Sequence, residues 1–405
     1  MGLRIGLYSP GMVGLGHMRR NLLLTRRFMA AHPDAAVLMI AEAREACAFR
    51  FPDRVDCVSL PAIRKEPDGQ CAPRYLGVGL EELVRLRSEM IRSALRWFDP
   101  DVLVVDHLPL GALRELTPTL ESLRGGRTRL VLGIRDVLED PATVAREWSS
   151  VSMAAIERWY DEVWIYGDRD VFDPVRDYAF PPHIAAKTHV LGYLNPREAN
   201  ADVVDSVELL AHQALYERRL VLCQVGGGQD GMRIADAFTR TDFPIDTQGV
   251  LLLGPFMPAE DRVRMRQRAR TNCRLEVLDY VTEPMLLLQR ADQVITMGGY
   301  NSVCETLAFD KSALVVPRTH PRCEQRIRAE RLAAKGRIEV MLPDDVSPAA
   351  FGAWLERGPR LSNFRAPVDM NGLDRACRRL EALIPSSRET AAAESTPAPR
   401  KVAAA

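Results

Sequence analysis

The chain has 405 residues, 47% of them hydrophobic, which is enough to bury a large core and long enough to favour two domains over one. Its 54 basic and 54 acidic residues cancel to a formal net charge of +0, which argues against nucleic-acid binding through a basic face. The eight cysteines show no Cys-x-x-Cys spacing and sit mostly in apolar segments such as LVLCQV, so they read as reduced core thiols of a cytoplasmic protein, not as a disulfide frame or zinc site.

The amino terminus, MGLRIGLYSP, opens a strand whose apolar part is too short for the h-region of a signal peptide. No apolar run approaches the ~18 residues of a membrane-spanning helix. Short runs rich in Val, Ile and Leu then recur, each followed by a longer helical pattern. In the first half they are LRIGLYS, AAVLMIA, DVLVVD, TRLVLGI, DEVWIYG and KTHVLGY; in the second, RLVLCQV, GVLLLG, CRLEVLD, DQVITM, SALVVP and IEVML. Continuous apolar strands alternating with helices predict an α/β protein with parallel sheets covered on both faces. Two such series predict two doubly wound domains, at residues 1–196 and 219–385, with ligands beyond the carboxyl ends of the strands. The polar stretch NPREANADVVDS opens the expected linker, 197–218. The end, 386–405, lacks large apolar side chains and reads as a disordered tail.

Three glycine loops follow strands. In LYSPGMVGLGHMRRNLLLTRRF, Gly11, Gly14 and Gly16 permit a tight turn with bare N–H groups, and His17 stands where a helix begins. The alternative is a close-packed turn with a surface histidine. In LVLCQVGGGQDGMRIADAF, Gly226, Gly228 and Gly231 fit the Gly-x-Gly-x-x-Gly dinucleotide fingerprint. A NAD site also wants an acid ending the next strand, but Asp246 precedes GVLLLG, which itself ends in glycine and proline. That weakens the NAD reading and leaves phosphate binding. In MGGYNSVCETLAF, Gly298 and Gly299 admit a phosphate, Asn301 or Ser302 caps the next helix, and Glu305 is placed in its first turn. There Glu305 either meets a ribose diol or closes a capping box with Ser302.

Taken together, these segments resemble the GT-B glycosyltransferases, and among them the family 28 group that includes the N-acetylglucosaminyltransferases of the lipid-linked peptidoglycan precursor. The resemblance is strongest over about 219–342. It rests on VGGGQDG, on LDYVTEPMLLLQRADQVITMGGYNSVCETLAFDKSALVVP and on EQRIRAERLAAKG, with GLGHMRR as thinner support in the first half. It implies a GT-B fold, two doubly wound Rossmann-like domains facing a cleft, with the nucleotide sugar in the second and the acceptor in the first. Carried over, Gly227 and Gly228 face the donor diphosphate and the backbone of Val281 meets the base. Gly298, Gly299, Asn301 and Ser302 hold phosphate, and Glu305 holds the ribose. Glu324 and Gln325 match the polar pair that touches the transferred sugar, although Arg328 replaces the usual asparagine and leaves the exact sugar open. His17 matches the glycine-loop histidine that serves as candidate general base. Asp106, His107, Arg135 and Asp136 end two first-domain strands and, with Gly14 and Gly16, are candidates for acceptor binding or for a supporting carboxylate.

One motif points elsewhere: Asp168-x-Asp170 has the spacing of the metal-binding pair of the other glycosyltransferase fold, GT-A. In a GT-B frame, helix ends and glycine amides do that work, so no metal and no cofactor beyond a UDP-sugar are expected. The leading expectation is an inverting, metal-independent transferase moving a hexose-type, GlcNAc-like sugar from UDP. Its acceptor, a small molecule, a glycan or a lipid-linked molecule, is left open. Peripheral contact with the inner face of the membrane is compatible with this. The alternatives are a UDP-sugar epimerase, an NAD oxidoreductase, and a non-catalytic sugar-nucleotide-binding subunit.

Overall fold

The computed structural model describes residues 2–11, 16–42, 49–66, 70–148, 150–199, 218–228, 230–279, 281, 284–360 and 365–384. Gly14, most of the expected linker and the expected tail lie outside them.

The first unit is built on β1 (Arg4–Ser9), β2 (Ala36–Ala41), β3 (Val55–Ser59), β6 (Val102–Asp106), β7 (Arg129–Arg135), β8 (Glu162–Tyr166) and β9 (Thr188–Val190). They form a seven-stranded sheet in the order β3-β2-β1-β6-β7-β8-β9, parallel throughout. A short antiparallel hairpin, β4 (Ile63–Lys65) and β5 (Cys71–Pro73), stands beside it. The second unit is built on β10 (Arg219–Gln224), β11 (Thr247–Leu252), β12 (Leu275–Leu278), β13 (Gln293–Thr296), β14 (Ser312–Val315) and β15 (Glu339–Val340). Its six parallel strands run β12-β11-β10-β13-β14-β15. This is the doubly wound order in which the chain reverses direction beside the first strand, and the crevice lies beyond that reversal. In the first sheet the reversal falls between β1 and β6, and in the second between β10 and β13.

The run-on apolar character of these strands has a simple cause. In β6, β8, β13 and β14 every residue is buried, because helices cover both sheet faces. Each fully buried Val, Leu or Ile contributes about 1.5–3 kcal/mol. The edge strand β3 (VDCVS) lacks that pattern, with Asp56 and Ser59 exposed. Sequence analysis did not mark β3 or the β4–β5 hairpin.

The helix Gly16–Ala31 is tied to the end of β1 by Asn21, whose Nδ2 donates to Ser9 Oγ at 2.8 Å and to the Tyr8 carbonyl at 3.3 Å. The final helix, Gly372–Leu383, follows the second unit in sequence but packs on the Gly16 helix of the first. Arg27 Nε donates to Asp374 at 2.9 Å, Arg375 donates to the Leu191 carbonyl at 2.8 Å, and Arg379 pairs with Glu162. The expected second domain, 219–385, therefore ends in a helix that belongs by packing to the first.

Candidate active site

The crevice is assembled from strand ends and the helices behind them. At the reversal of the first sheet, the Gly16 helix begins after β1 and carries His17, while β6 ends at Asp106. His17 Nδ1 lies 2.5 Å from Asp106 Oδ2. Arg20, one turn further on, clasps the same carboxylate through Nε at 3.0 Å and through one terminal nitrogen at 2.8 and 2.6 Å. Burial would raise the Asp106 carboxyl pKa, but Arg20 and then His17 outweigh it and hold it far below the usual carboxylate range. Asp106 is thus ionised and the short contact needs the imidazole proton on Nδ1. The Arg20 nitrogen 3.0 Å from Nδ1 is then a neighbour whose protons go to Asp106. Nε2 is left with its lone pair, and the side chain keeps 17% exposure toward the crevice. Burial pushes the His17 pKa below its usual value, against the upward pull of Asp106. A neutral imidazole with a fixed tautomer is a competent proton acceptor near neutral pH.

The next residues lie alongside. His107 is held in the left-handed region, φ 71°, where its ring centroid is 5.4 Å from that of His17. Its pKa is driven well below normal by burial and by the charge of Arg135. Arg135 ends β7, and burial, then the neighbouring Arg328, lowers its pKa to about 10. Asp136 is fully buried and accepts from Arg328 through Nε at 2.9 Å and a terminal nitrogen at 2.7 Å, and from the Tyr193 hydroxyl at 2.7 Å. Asp136 is therefore not free for an acceptor; Arg328 occupies it. Arg328 thereby ties the two units together and also donates to the Gly298 carbonyl at 3.3 Å.

In the second unit, Gly226 and Gly228 adopt positive φ, and Gly254 approaches so closely that a Cβ there would lie 2.1 Å from the Gly227 carbonyl carbon. A bare, tightly folded loop results beyond β10. β11 ends in Leu252, followed by Leu253 and Gly254, so no strand-end acid awaits a nicotinamide ribose. Gly298 has φ 76° and faces Val315, where a Cβ would meet Cγ1 at 2.6 Å, while Gly299 opens onto free space. The helix Tyr300–Ala308 starts directly behind, capped by Gly299 with no side chain on its first N–H groups. Such a helix start attracts an oxyanion.

This start corrects the capping-box expectation. Ser302 is already inside the helix and Glu305 lies in its second turn, so Glu305 caps nothing. Instead its Oε1 accepts from Arg19 of the first unit at 2.5 Å. Asn301 also reaches across, donating to the Gly16 carbonyl at 3.0 Å. Ser302 is half-buried, its carbonyl accepting from Thr306. Val281 is half-buried against the core. Glu305, Asn301, Arg19 and Met285 line a narrow cleft between the units.

Glu324 and Gln325 are braced by a loop arginine. Arg318 donates through a terminal nitrogen to Glu324 at 2.7 Å, and its backbone N–H donates to Gln325 Oε1 at 3.0 Å. Gln325 thus has its acceptor committed to the loop, whereas the buried Glu324 keeps Oε2 without a partner. Asp168 accepts from the backbone N–H of Asp170 and of Asp369, each at 2.8 Å, so both its oxygens shape the chain locally.

Sequence reasoning missed Arg19, Arg20 and Arg318. Arg20 is marked only by its spacing of three residues from His17, which puts both on one helix face. Tyr300 is stacked by Arg20 and Arg328, whose guanidinium carbons lie 5.4 and 5.8 Å from its ring centroid. Glu139 of the first unit accepts from the Cys323 backbone N–H at 2.9 Å, closing the start of the Glu324–Ala334 helix.

Comparison with known proteins agrees with this frame. Residues 225–357 match the glycosyltransferase family 28 C-terminal domain. The chain is 22% identical over 397 residues to the UDP-N-acetylglucosamine--N-acetylmuramyl-(pentapeptide) pyrophosphoryl-undecaprenol N-acetylglucosamine transferase of Syntrophotalea carbinolica, covering 92% of this chain and 96% of that one. Among solved structures it is similar to Acinetobacter baumannii MurG, with TM-score 0.56 at 12% identity over 94% of this chain and 99% of that one. It is also similar to a putative UDP-N-acetylglucosamine 2-epimerase from Listeria monocytogenes, with TM-score 0.60 at 13% identity over the whole of both chains. Fold and matched domain together define a nucleotide-sugar-dependent glycosyltransferase of the GT-B class. More particularly, the match to the glycosyltransferase family 28 C-terminal domain lies within its second unit.

Proposed function

We propose that the protein moves a hexose-type, GlcNAc-like sugar from a UDP-sugar to an acceptor hydroxyl, with inversion and without a metal ion or further cofactor. The observation that carries this reading is the His17–Asp106 pair at 2.5 Å, carried on the helix whose first carbonyl, at Gly16, accepts from Asn301 at the start of the Tyr300–Ala308 helix. In the proposed step the acceptor oxygen attacks the anomeric carbon, its proton passes to His17 Nε2, and the bond from that carbon to the UDP oxygen breaks. Asp106 keeps the Nδ1 proton in place and stabilises the imidazolium that forms. The departing diphosphate sits over Gly298, Gly299 and the first N–H groups of the Tyr300 helix, with Gly227 and Gly228 on its other side. Val281 meets the base through its backbone, and Glu305 turns from Arg19 to the ribose hydroxyls. Glu324 Oε2 accepts from a hydroxyl of the transferred sugar.

The donor of the Syntrophotalea relative supports a GlcNAc-like sugar, and its lipid-linked acceptor keeps a membrane-surface acceptor among the candidates for this chain, alongside a glycan or a small molecule. No helix among the described residues is long and apolar enough to cross a membrane. A cytoplasmic protein in peripheral contact with the inner face of the membrane fits this reading.

The Listeria neighbour favours a second reading, a UDP-sugar epimerase, because that fold match is as good as the MurG match. One assay separates the two. A panel of UDP-sugars is incubated with candidate acceptors and free UDP is measured. Stoichiometric UDP release that depends on acceptor and on His17 supports transfer. Conversion of the donor sugar with little UDP release supports epimerisation, and donor binding without either supports a binding subunit.

A further inference from the structure

We propose that Arg135 is an oxyanion-binding residue of the crevice, taking a phosphate or carboxylate group that arrives with a substrate. The inference rests on the transferase reading for what the substrate is, but its physical basis is a charge imbalance. Arg20 and Arg328, its cationic neighbours, are each clasped by a buried carboxylate, Asp106 and Asp136. Arg135 has no hydrogen bond and no ion pair among the described residues, and its Nε is out of water without a partner. Glu324 is near enough to attract it, yet Glu324 is already paired with Arg318. The side chain is half-buried and its terminal nitrogens are not shut away with Nε, so an oxyanion entering the crevice can reach them. None of the described residues supplies an anion for it, which leaves the place to a ligand.

Two further unsatisfied atoms among the described residues belong to groups within electrostatic reach of Arg135. His107 Nδ1 and Glu324 Oε2 are both buried without partners. An oxyanion would meet the guanidinium, while Glu324 Oε2 stays available to the transferred sugar's hydroxyl. His17 feels the Arg135 charge directly, so the bound anion would lie beside the reacting groups. Two sources present this chemistry: the donor's diphosphate, or an acidic group on the acceptor.

The test uses the full chain and inorganic phosphate as probe, with and without saturating UDP, comparing wild type with Arg135→Gln and Arg135→Lys. Phosphate should raise the wild-type melting temperature, the effect should vanish in Arg135→Gln and survive in part in Arg135→Lys. Without ligand, Arg135→Gln should melt no earlier than wild type, since it loses no contact. If the phosphate effect persists under saturating UDP, the anion belongs to the acceptor. If UDP abolishes it and Arg135→Gln weakens UDP binding roughly tenfold, it is the donor diphosphate. Wild-type phosphate and UDP binding in Arg135→Gln overturns the proposal, as does an earlier melt with anion binding unchanged. Loss of phosphate binding with Arg135 stands whether or not UDP is released in the transfer assay, so the two readings fail separately.

Discussion

Replacing Asp106 by asparagine separates catalysis from architecture. In the native crevice Asp106 is fully buried and meets Arg20 at 2.6 to 3.0 Å and His17 at 2.5 Å. Asparagine keeps the volume and an acceptor oxygen but removes the charge. Arg20, only 2% exposed, is left with an uncompensated guanidinium, and breaking a buried pair in this way costs about 3–5 kcal/mol. For a domain of this size that lowers the melting temperature by roughly 6 to 20 °C. The same change strips His17 of the carboxylate that fixes its tautomer, so turnover should fall ~100- to 10,000-fold when assayed below the melt. Adding Arg20→Met removes the orphaned charge. The double variant should regain most of the stability, less the stacking of Arg20 on Tyr300, and none of the turnover. Calorimetry and UDP release on both variants provide the check. A folded Asp106→Asn that turns over at the wild-type rate refutes the dyad, and a double variant that regains stability and rate together would make Asp106 purely structural.

Four further outcomes are expected. Because His17 titrates below its usual 6.5, kcat/KM should be level around neutrality and decline only on acidification below 6.5; stability from keeping His17 neutral is complete above the unfolded value and is lost as pH falls toward the lower folded one. His17→Ala should abolish that acidic limb, lose ~100- to 10,000-fold in turnover and leave UDP affinity intact by calorimetric titration. Glu305→Gln should weaken UDP binding roughly tenfold or more in the same titration, with an earlier unliganded melt because Arg19 loses its charged partner; equal affinity would remove Glu305 from the ribose site. Turnover should persist in excess EDTA, and its abolition with rescue by magnesium or manganese would bring Asp168 and Asp170 back as ligands.

The fold was legible where burial is symmetric. All six apolar runs of the second half are strands of one parallel sheet, because a strand covered on both faces has no polar side to interrupt its sequence. β3 escaped because an edge strand with Asp56 exposed carries no such signal. The return of the Gly372–Leu383 helix to the first unit was not legible either. Its amphipathic pattern states that one face is buried, not against which partner; Asp374 meeting Arg27 is a contact 347 residues apart.

The site was legible as a set of strand-end residues but not in its division of labour, and strand geometry explains why. Successive side chains leave a strand on opposite sides, so a strand-end pair separates into one residue turned inward and one turned toward the crevice. At β6 the inward residue is Asp106, clasped by Arg20; at β7 and its exit it is Asp136, clasped by Arg328. Their neighbours, His107 and Arg135, are the half-buried ones with unsatisfied nitrogens. Sequence reading gave all four the same candidate role, because nothing in Asp-His or Arg-Asp states which residue faces in. The arginines decide it. Arg20 comes from the helix that carries His17, and Arg328 from the other unit, so the buried acids order both the base and the seam between the units. The same two acids leave Arg135 as the cation whose partner has yet to bind.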